Sequence, residues 1–354
     1  MDVIDVIKIM LPAVLSFSIG IAITPLITHF LYKYKVWKTS GGKIAMDGTE
    51  AKVFNHLHSE RERLVPRMGG IVIWMSTLIT VVLLLFIQVL YPTDMTVKMS
   101  FLSRGQTWIP FFVFLSGAFM GFFSDVLDLF FHKRGIKISR RLFFVALISA
   151  FVGWWFYAKL GVTGISIPFS ENSIELGWLI IPFFMLMSLS LYSSGVIDGI
   201  DGLSGGVFLS IFIAYTGIAF YQSQFDLAAF SATIAGSILA FLWFNIPPAR
   251  FFMTETGTMG ITLVIATIAF MTDSLGGGIG ISALPIIGML LVVTVLSDII
   301  QVLSKRFFNK KVFLIAPLHH HFEAIGWPSY KVAMRYWVLS AIFALTGFIF
   351  ALIG

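Results

Sequence analysis

The 354-residue chain contains no cysteine and few charged side chains. Without cysteine it can form neither disulfides nor metal sites with thiolate ligands. Charged residues make up only 12% of the sequence and apolar residues 58%. In an ordinary soluble domain about a quarter of the residues are charged, so that class of protein is excluded. The sequence predicts a protein whose main solvent is lipid.

Long stretches with little or no charge recur along the whole sequence. Each is about 18 to 25 residues long, which is enough for a helix to cross a hydrocarbon core of about 30 Å. Helices are therefore expected, rather than the short alternating strands of a barrel. The predicted fold is all-α, with ten transmembrane helices in a single domain over residues 1–354. The ten spans lie near residues 9–32, 69–91, 108–131, 142–160, 175–197, 203–221, 226–244, 258–273, 280–304 and 333–353.

Positive charge is concentrated in the loops of one face. Most of the 24 lysine and arginine residues lie between the first and second spans, between the third and fourth, and around the last loop. By the positive-inside rule this face is cytoplasmic, and both termini are periplasmic. The net charge of +6 thus indicates topology in a lipid bilayer, and binding to nucleic acid is not expected.

Two acidic motifs lie at the inner ends of spans. In Asp198-Gly-Ile-Asp201-Gly, a very short loop joins two spans, and its carboxylates, three residues apart, are expected to share a helical face. A capped turn is the simpler alternative. Asp125 and Asp128 end the third span, at a depth where carboxylates usually face the bundle interior or a water-filled cleft.

The role of Asp128 is also open to a structural explanation. This residue is expected to pair with His132 or Lys133, one turn further on. Asp125 is therefore the better functional candidate of the two.

Glu255 stands in the hydroxyl-rich stretch Met-Thr-Glu-Thr-Gly-Thr that opens the eighth span. Thr254 is a candidate cap for that helix, and the same backbone donors also suit a phosphate.

The last cytoplasmic loop carries three consecutive histidines, His319, His320 and His321. On a regular helix their rings point about 100° apart, so they cannot all bind one ion. Phosphate binding, or a mixed structural and catalytic role, is favoured over a zinc site made of histidines alone.

Arg63 precedes Gly69-Gly70 at the second span, where basic residues either hold phosphate or anchor the helix end.

Taken in order, these motifs resemble the polyprenyl-phosphate N-acetylhexosamine-1-phosphate transferase superfamily over nearly the whole chain. Ala-Pro-Leu-His-His-His-Phe-Glu-Ala-Ile-Gly-Trp-Pro, residues 316–328, resembles the signature of the phospho-N-acetylmuramoyl-pentapeptide transferase branch. Trp-Phe-Asn245 and the Glu255 that follows fit the same branch. Val-Pro-Arg-Met-Gly-Gly, residues 65–70, is more similar to the sister branch that transfers N-acetylglucosamine 1-phosphate.

The resemblance implies transfer of phospho-N-acetylmuramoyl-pentapeptide from its UDP carrier to undecaprenyl phosphate, with Mg²⁺ as cofactor. The products would be lipid I and UMP, made at the bacterial inner membrane for peptidoglycan synthesis. It also implies the site residues. The catalytic residues would be Asp125, Glu255 and His320; Asp125 and Glu255 would serve the metal; Phe252 would stack on uracil; and Arg63, Asp198, Asp201, Asn245, His319 and His321 would bind substrate.

Four positions depart from the pattern of that superfamily. Ser124 replaces one aspartate of a pair, Asp128 a lysine, Gly195 an asparagine and Glu255 the metal-binding aspartate. Three alternatives therefore stay open: a transferase of UDP-N-acetylglucosamine, a catalytically impaired relative, and a transporter. The sequence also leaves open whether the chain is a monomer or a homodimer.

Overall fold

The computed structural model describes residues 3–37, 55, 64–103, 105–130, 136–170 and 172–354. Helices dominate these residues, and the one sheet among them is a two-stranded hairpin. The helices are α1 Val3–Lys33, α2 Ile71–Leu90, α3 Asp94–Met99, α4 Trp108–Phe130, α5 Ile138–Leu160, α6 Ile180–Ser193, α7 Leu203–Tyr221, α8 Phe225–Asn245, α9 Glu255–Phe270, α10 Gly280–Ile287, α11 Met289–Phe308, α12 Leu318–Ala324 and α13 Ser329–Ile353.

The predicted all-α membrane fold is confirmed. Within the described part of the chain, nine helices are long and apolar enough to cross a membrane, and α10 with α11 makes a tenth if the two count as one span. The span predicted near residues 280–304 consists of these two helices, which are bent by 68° relative to each other. Pro285 supplies no amide hydrogen for the helix ladder, and Gly288 separates the two helices.

Helix α9 forms the centre of the bundle. In the span Glu255–Asp273, 94% of the most apolar window is buried inside the protein, although its mean hydropathy of 1.3 is the lowest of the nine. The buried hydroxyls of Thr262 and Thr267 donate to carbonyls four residues earlier, at 2.8 and 3.0 Å. The helix therefore satisfies its own polar groups, as a protein interior within a bilayer requires.

Glycine residues allow α4 to lie directly against α9. A Cβ atom on Gly121 would be 2.0 Å from the backbone oxygen of Glu255, and one on Gly117 would be 2.9 Å from the Cα of Gly260. Small residues at one helix interface permit this close approach of two backbones. Asp125, one turn beyond Gly121, is thereby carried to the first turn of α9.

The opposite end of the bundle holds the hairpin. Strand β1, Gly164–Ser166, pairs antiparallel with β2, Ser173–Glu175. The carboxylate of Asp273 accepts hydrogen bonds from the backbone amides of Ser166 at 3.0 Å and Ile281 at 3.1 Å. This buried aspartate fixes the hairpin to the start of α10, which is a structural role.

Candidate active site

Asp125 accepts three hydrogen bonds at the end of the bundle that carries the acidic motifs. Its Oδ2 accepts hydrogen bonds from the hydroxyls of Thr254 at 2.6 Å and Thr256 at 2.7 Å, and from the Thr256 amide at 3.0 Å. The residue is only 2% exposed. Because bonds to an ionised acceptor are stronger than neutral ones, these contacts fix the end of α4 to the start of α9.

Thr254 connects the two acidic motifs. Its amide donates to Asp198 Oδ2 at 2.8 Å, while its hydroxyl donates to Asp125 and accepts from the amide of Met68 at 3.2 Å. Its φ of 57° lies in the region that favours glycine. The predicted capping role is wrong, since the Thr254 side chain makes no cap hydrogen bond in α9. Backbone strain of this kind persists where surrounding contacts over-determine the conformation.

The loop of Asp198 and Asp201 is a series of turns between a 3₁₀ helix, Ser194–Ile197, and α7. The two carboxylates were expected to share a helical face, which is wrong because no helix includes them. Asp198 Oδ1 accepts from Ser204 at 2.7 Å, whereas Asp201 Oδ2 accepts from the Ala249 amide at 3.0 Å. The two carboxylates of this short loop therefore accept hydrogen bonds from different segments of the chain.

Asn245 joins the same loop to the end of α8. Its Oδ1 accepts from the Gly202 amide at 2.9 Å, and its Nδ2 donates to the Phe251 carbonyl at 2.8 Å. Both ends of this amide are bound to backbone, and the residue is 2% exposed. The structure therefore gives Asn245 a positioning role for the residues that precede Glu255.

The segment before α2 runs beside the segment before α9. The Phe252 amide donates to the Pro66 carbonyl at 2.8 Å, and the Gly69 amide donates to the Phe252 carbonyl at 2.8 Å. A Cβ on Gly70 would be 2.3 Å from the Gly257 amide nitrogen. Gly69 and Gly70 thus allow the two segments to pack closely, and Phe252 beside them is half-buried.

Arg67 comes from this segment and meets both aspartates of α4. Its Nη1 lies 2.8 Å from Asp128 Oδ2, and its Nη2 lies 3.6 Å from Asp125 Oδ1. Asp128 was expected to pair within its own helix with His132 or Lys133, both of which fall outside the described residues. Among the described residues, Arg67 is a partner of Asp128 that comes from a different segment. Arg63, predicted to bind substrate, also lies outside the described residues.

Glu255 is paired with Arg141 at the start of α5. Arg141 Nη1 donates to Glu255 Oε1 at 2.5 Å, and the Tyr192 hydroxyl donates to Glu255 Oε2 at 3.2 Å. Arg141 Nε also donates to the Ile136 carbonyl at 2.9 Å. The glutamate additionally suits the positive end of α9. Residues from α5, α6 and α9 therefore meet around a single carboxylate.

Two of the three histidines pack against the loop of Asp198 and Asp201. A Cβ on Gly199 would be 2.5 Å from His320 Nε2 and 2.7 Å from His319 Nε2. His320 Nδ1 lies within hydrogen-bond distance of Glu323 Oε2, at 2.7 Å. His321 points elsewhere, because its Nδ1 accepts from the Leu314 amide at 3.2 Å.

The carboxylates predicted to serve a metal do not form a vacant oxygen cage. Both oxygens of Glu255 have protein partners, and Asp125 Oδ2 accepts three hydrogen bonds while Oδ1 faces Arg67. No group of three or more His, Asp or Glu side chains arranged for a metal occurs in the described part of the chain. Two like unit charges about 4 Å apart repel by about 4 kcal/mol at an effective dielectric constant of about 20. The repulsion between a divalent cation and a guanidinium at that distance would be twice as large. Directly bound Mg²⁺ does not fit this donor set.

Arg141 is a site residue that the sequence analysis missed, because it counted Arg141 only as evidence of topology. Arg67 lies in the basic stretch before Gly69-Gly70 that was considered for phosphate binding, but it was not named as a site residue. One signal was present: Arg141 lies near the start of a helix, where the macrodipole disfavours a cation. Such a residue needs a compensating carboxylate, and Glu255 provides it. Thr256 and Tyr192 gave no comparable signal, since isolated hydroxyls are common in membrane helices.

Comparisons with known proteins agree with this architecture. Residues 107–273 match the family described as Glycosyl transferase family 4. Relatives called phospho-N-acetylmuramoyl-pentapeptide-transferase include one from Geobacillus sp. strain WCH70, 33% identical over 340 residues, covering 95% of this chain and 96% of the relative. Another, from Clostridium perfringens strain 13, is 30% identical over 344 residues, covering 96% of this chain and 98% of the relative. The chain is thus a bacterial multi-pass membrane protein, and it belongs to the phospho-N-acetylmuramoyl-pentapeptide-transferase family.

Proposed function

We propose that the chain transfers phospho-N-acetylmuramoyl-pentapeptide from its UDP carrier to undecaprenyl phosphate, releasing UMP and forming lipid I. The observation that carries this proposal is the meeting of Asp125, Asp198 and Glu255 around Thr254. Similarity to the named relatives over 95% of the chain supports the choice of substrates.

The exposed members of the cluster are the groups suited to touch substrate. The side chains of Arg67, Arg141 and Glu255 are 19, 23 and 26% exposed, whereas those of Asp125 and His320 are each 3% exposed. We propose that the arginines bind phosphate oxygens, because guanidinium groups match phosphate geometry. Asp125 and His320, predicted as catalytic, then act as positioning residues behind them.

Transfer needs little covalent help from the protein. Phosphoryl transfer depends mainly on in-line positioning and neutralisation of charge. A phosphate monoester has a second pKa of about 6, so the attacking oxygen of the lipid phosphate is largely deprotonated at neutral pH. That oxygen forms a bond to the β-phosphorus of the donor, which carries the sugar. The bond from this phosphorus to the bridging oxygen breaks, and UMP leaves with that oxygen. A single aspartate, Asp125, is therefore sufficient where the superfamily pattern has two.

The other predicted residues have roles around the donor. We propose that the half-buried Phe252 stacks on uracil, and that Asp198 and Asp201 hold the loop against which the donor binds. His319 is proposed to shape the sugar-phosphate side of this loop, whereas His321, which points away from the loop and accepts from the Leu314 amide, is given no role there. The Mg²⁺ site that the resemblance implies at Asp125 and Glu255 is not part of this proposal, because both oxygens of Glu255 already have protein partners. A homodimer likewise remains a proposal.

The test is acceptor-dependent release of UMP by purified protein in detergent. We expect release from UDP-N-acetylmuramoyl-pentapeptide with undecaprenyl phosphate, and loss of at least about a hundredfold in Glu255→Gln, since its pairing with Arg141 is lost. Release only from UDP-N-acetylglucosamine would favour the sister activity suggested by residues 65–70. Folded protein that releases no UMP from either donor would contradict the proposal, and donor-dependent flux in liposomes would then indicate a transporter.

A further inference from the structure

The pairing of Glu255 with Arg141 differs from what a metal-dependent member of the superfamily is expected to show. The resemblance assigns this position to an aspartate that binds a divalent cation. Here the residue is one methylene longer, and its carboxylate is bound to the guanidinium of Arg141 at 2.5 Å and to the hydroxyl of Tyr192. The positive charge beside this carboxylate thus belongs to the chain itself.

A second guanidinium neutralises the carboxylates of α4. Arg67 contacts Asp128 at 2.8 Å and lies 3.6 Å from Asp125. Asp128 stands where the superfamily pattern has a lysine, so the helix has lost a cation, and Arg67 supplies one from another segment. Two arginines thereby serve the three carboxylates that surround the start of α9.

We propose that Arg141 and Arg67 replace the divalent cation in this chain. They hold Glu255, Asp125 and Asp128 in place, and they bind the donor's pyrophosphate through N–H groups that remain available, since each guanidinium has five donors. Neither Glu255 nor Asp125 coordinates a metal ion. The inference rests on the proposed function only for the identity of the donor.

The physical reason is competition for one carboxylate. Mg²⁺ requires near-octahedral oxygen ligands at about 2.0–2.1 Å, and on Glu255 it would have to share oxygens with a bound guanidinium of the same sign. Both arginine side chains are partly exposed, at 23 and 19%, so a phosphate can reach them. A fixed guanidinium needs no ion from solution and is always charged.

The experiment measures metal and nucleotide binding separately from turnover. Mn²⁺ binding is followed by electron paramagnetic resonance, and UDP binding by calorimetry, in wild type and in Arg141→Met. Wild type is expected to bind no stoichiometric Mn²⁺ and to bind UDP equally well in EDTA and in Mg²⁺. Arg141→Met is expected to bind one Mn²⁺ at the released Glu255 and to bind UDP about ten- to a hundredfold more weakly.

Arg140→Met is the matched control, because Arg140 is the neighbouring exposed cation on the same helix. It should bind UDP like wild type and bind no Mn²⁺. If Arg141→Met does not fold, Arg141→Lys is used instead. Lysine keeps the positive charge but lacks the two parallel N–H donors of a guanidinium, so this variant should bind UDP more weakly while still excluding Mn²⁺.

The wild-type measurements alone can overturn the inference. One Mn²⁺ bound by wild type and lost in Glu255→Gln, or UDP binding at least tenfold weaker in EDTA, would show that the cluster uses a metal. Neither measurement depends on UMP release, so metal and UDP binding can be interpreted even if the proposed transfer reaction is not observed. Conversely, a bound metal would contradict the inference without contradicting the transfer reaction.

Discussion

Thr254 shows how much of the site depends on one residue. Its side chain and amide contact both acidic motifs, and its backbone adopts a conformation costly for a residue with a Cβ. The hydroxyl bonds to Asp125 and Met68, and these are contacts that glycine, the residue this conformation favours, could not make. Glycine would remove the strain and alanine would keep it, while both would lose the hydroxyl.

Substitutions at Thr254 should therefore follow a defined order. Thr254→Ser should stay close to wild type, whereas Thr254→Ala should lose about 1.5–3 kcal/mol of unfolding free energy, the range for a hydrogen bond to a charged group. Thr254→Gly should fall between them, because relief of strain offsets part of the loss. Thermal unfolding in detergent provides the ranking. An alanine variant as stable as the serine variant would show that the bond to Asp125 contributes nothing.

At the scale of helices, the contact between α4 and α9 determines the position of Asp125. Gly121→Ala would place a Cβ 2.0 Å from the backbone oxygen of Glu255, and neither backbone can yield without separating Asp125 from Thr256. We expect a loss of about 1–3 kcal/mol or more, typical of overpacking, together with a clear loss of UMP release.

Gly105→Ala is the control for this substitution. A Cβ on Gly105 would meet nothing within 4 Å, so stability and UMP release should match wild type. Equal behaviour of the two variants, in the same unfolding and release assays, would contradict the close contact of α4 with α9.

For the whole molecule, the predicted topology can be tested because the chain has no cysteine. A single cysteine introduced at the exposed Asn172, near the hairpin, should react with a membrane-impermeant thiol reagent in intact cells, because this loop is predicted to be periplasmic. One introduced at the exposed Lys310 should react only after permeabilisation. The unsubstituted chain is the blank, and the opposite labelling pattern would reverse the orientation.

The fold could be predicted from hydropathy because each span carries its own signal of length and composition. The acidic and histidine motifs were also visible, since each is a short run of sequence. The ion pairs of Arg67 and Arg141 were not, because their partners lie 61 and 114 residues away. The φ of Thr254 was missed for a related reason, because tertiary contacts decide it. The bend at Gly288 has a local cause, but proline alone does not reveal it, since Pro12 and Pro25 lie inside the continuous helix α1.

The burial of α9 affects how this protein can change over evolutionary time. A lipid-facing helix must remain apolar on its outer side, but α9 has almost no surface in contact with lipid. Threonines at 256, 258, 262 and 267 are therefore acceptable along its length. The bilayer restricts which residues the outer helices can carry, whereas the residues of α9 are restricted by packing against the rest of the protein. A carboxylate at its first residue can exchange a metal ion for an arginine without any change in how the protein sits in the membrane.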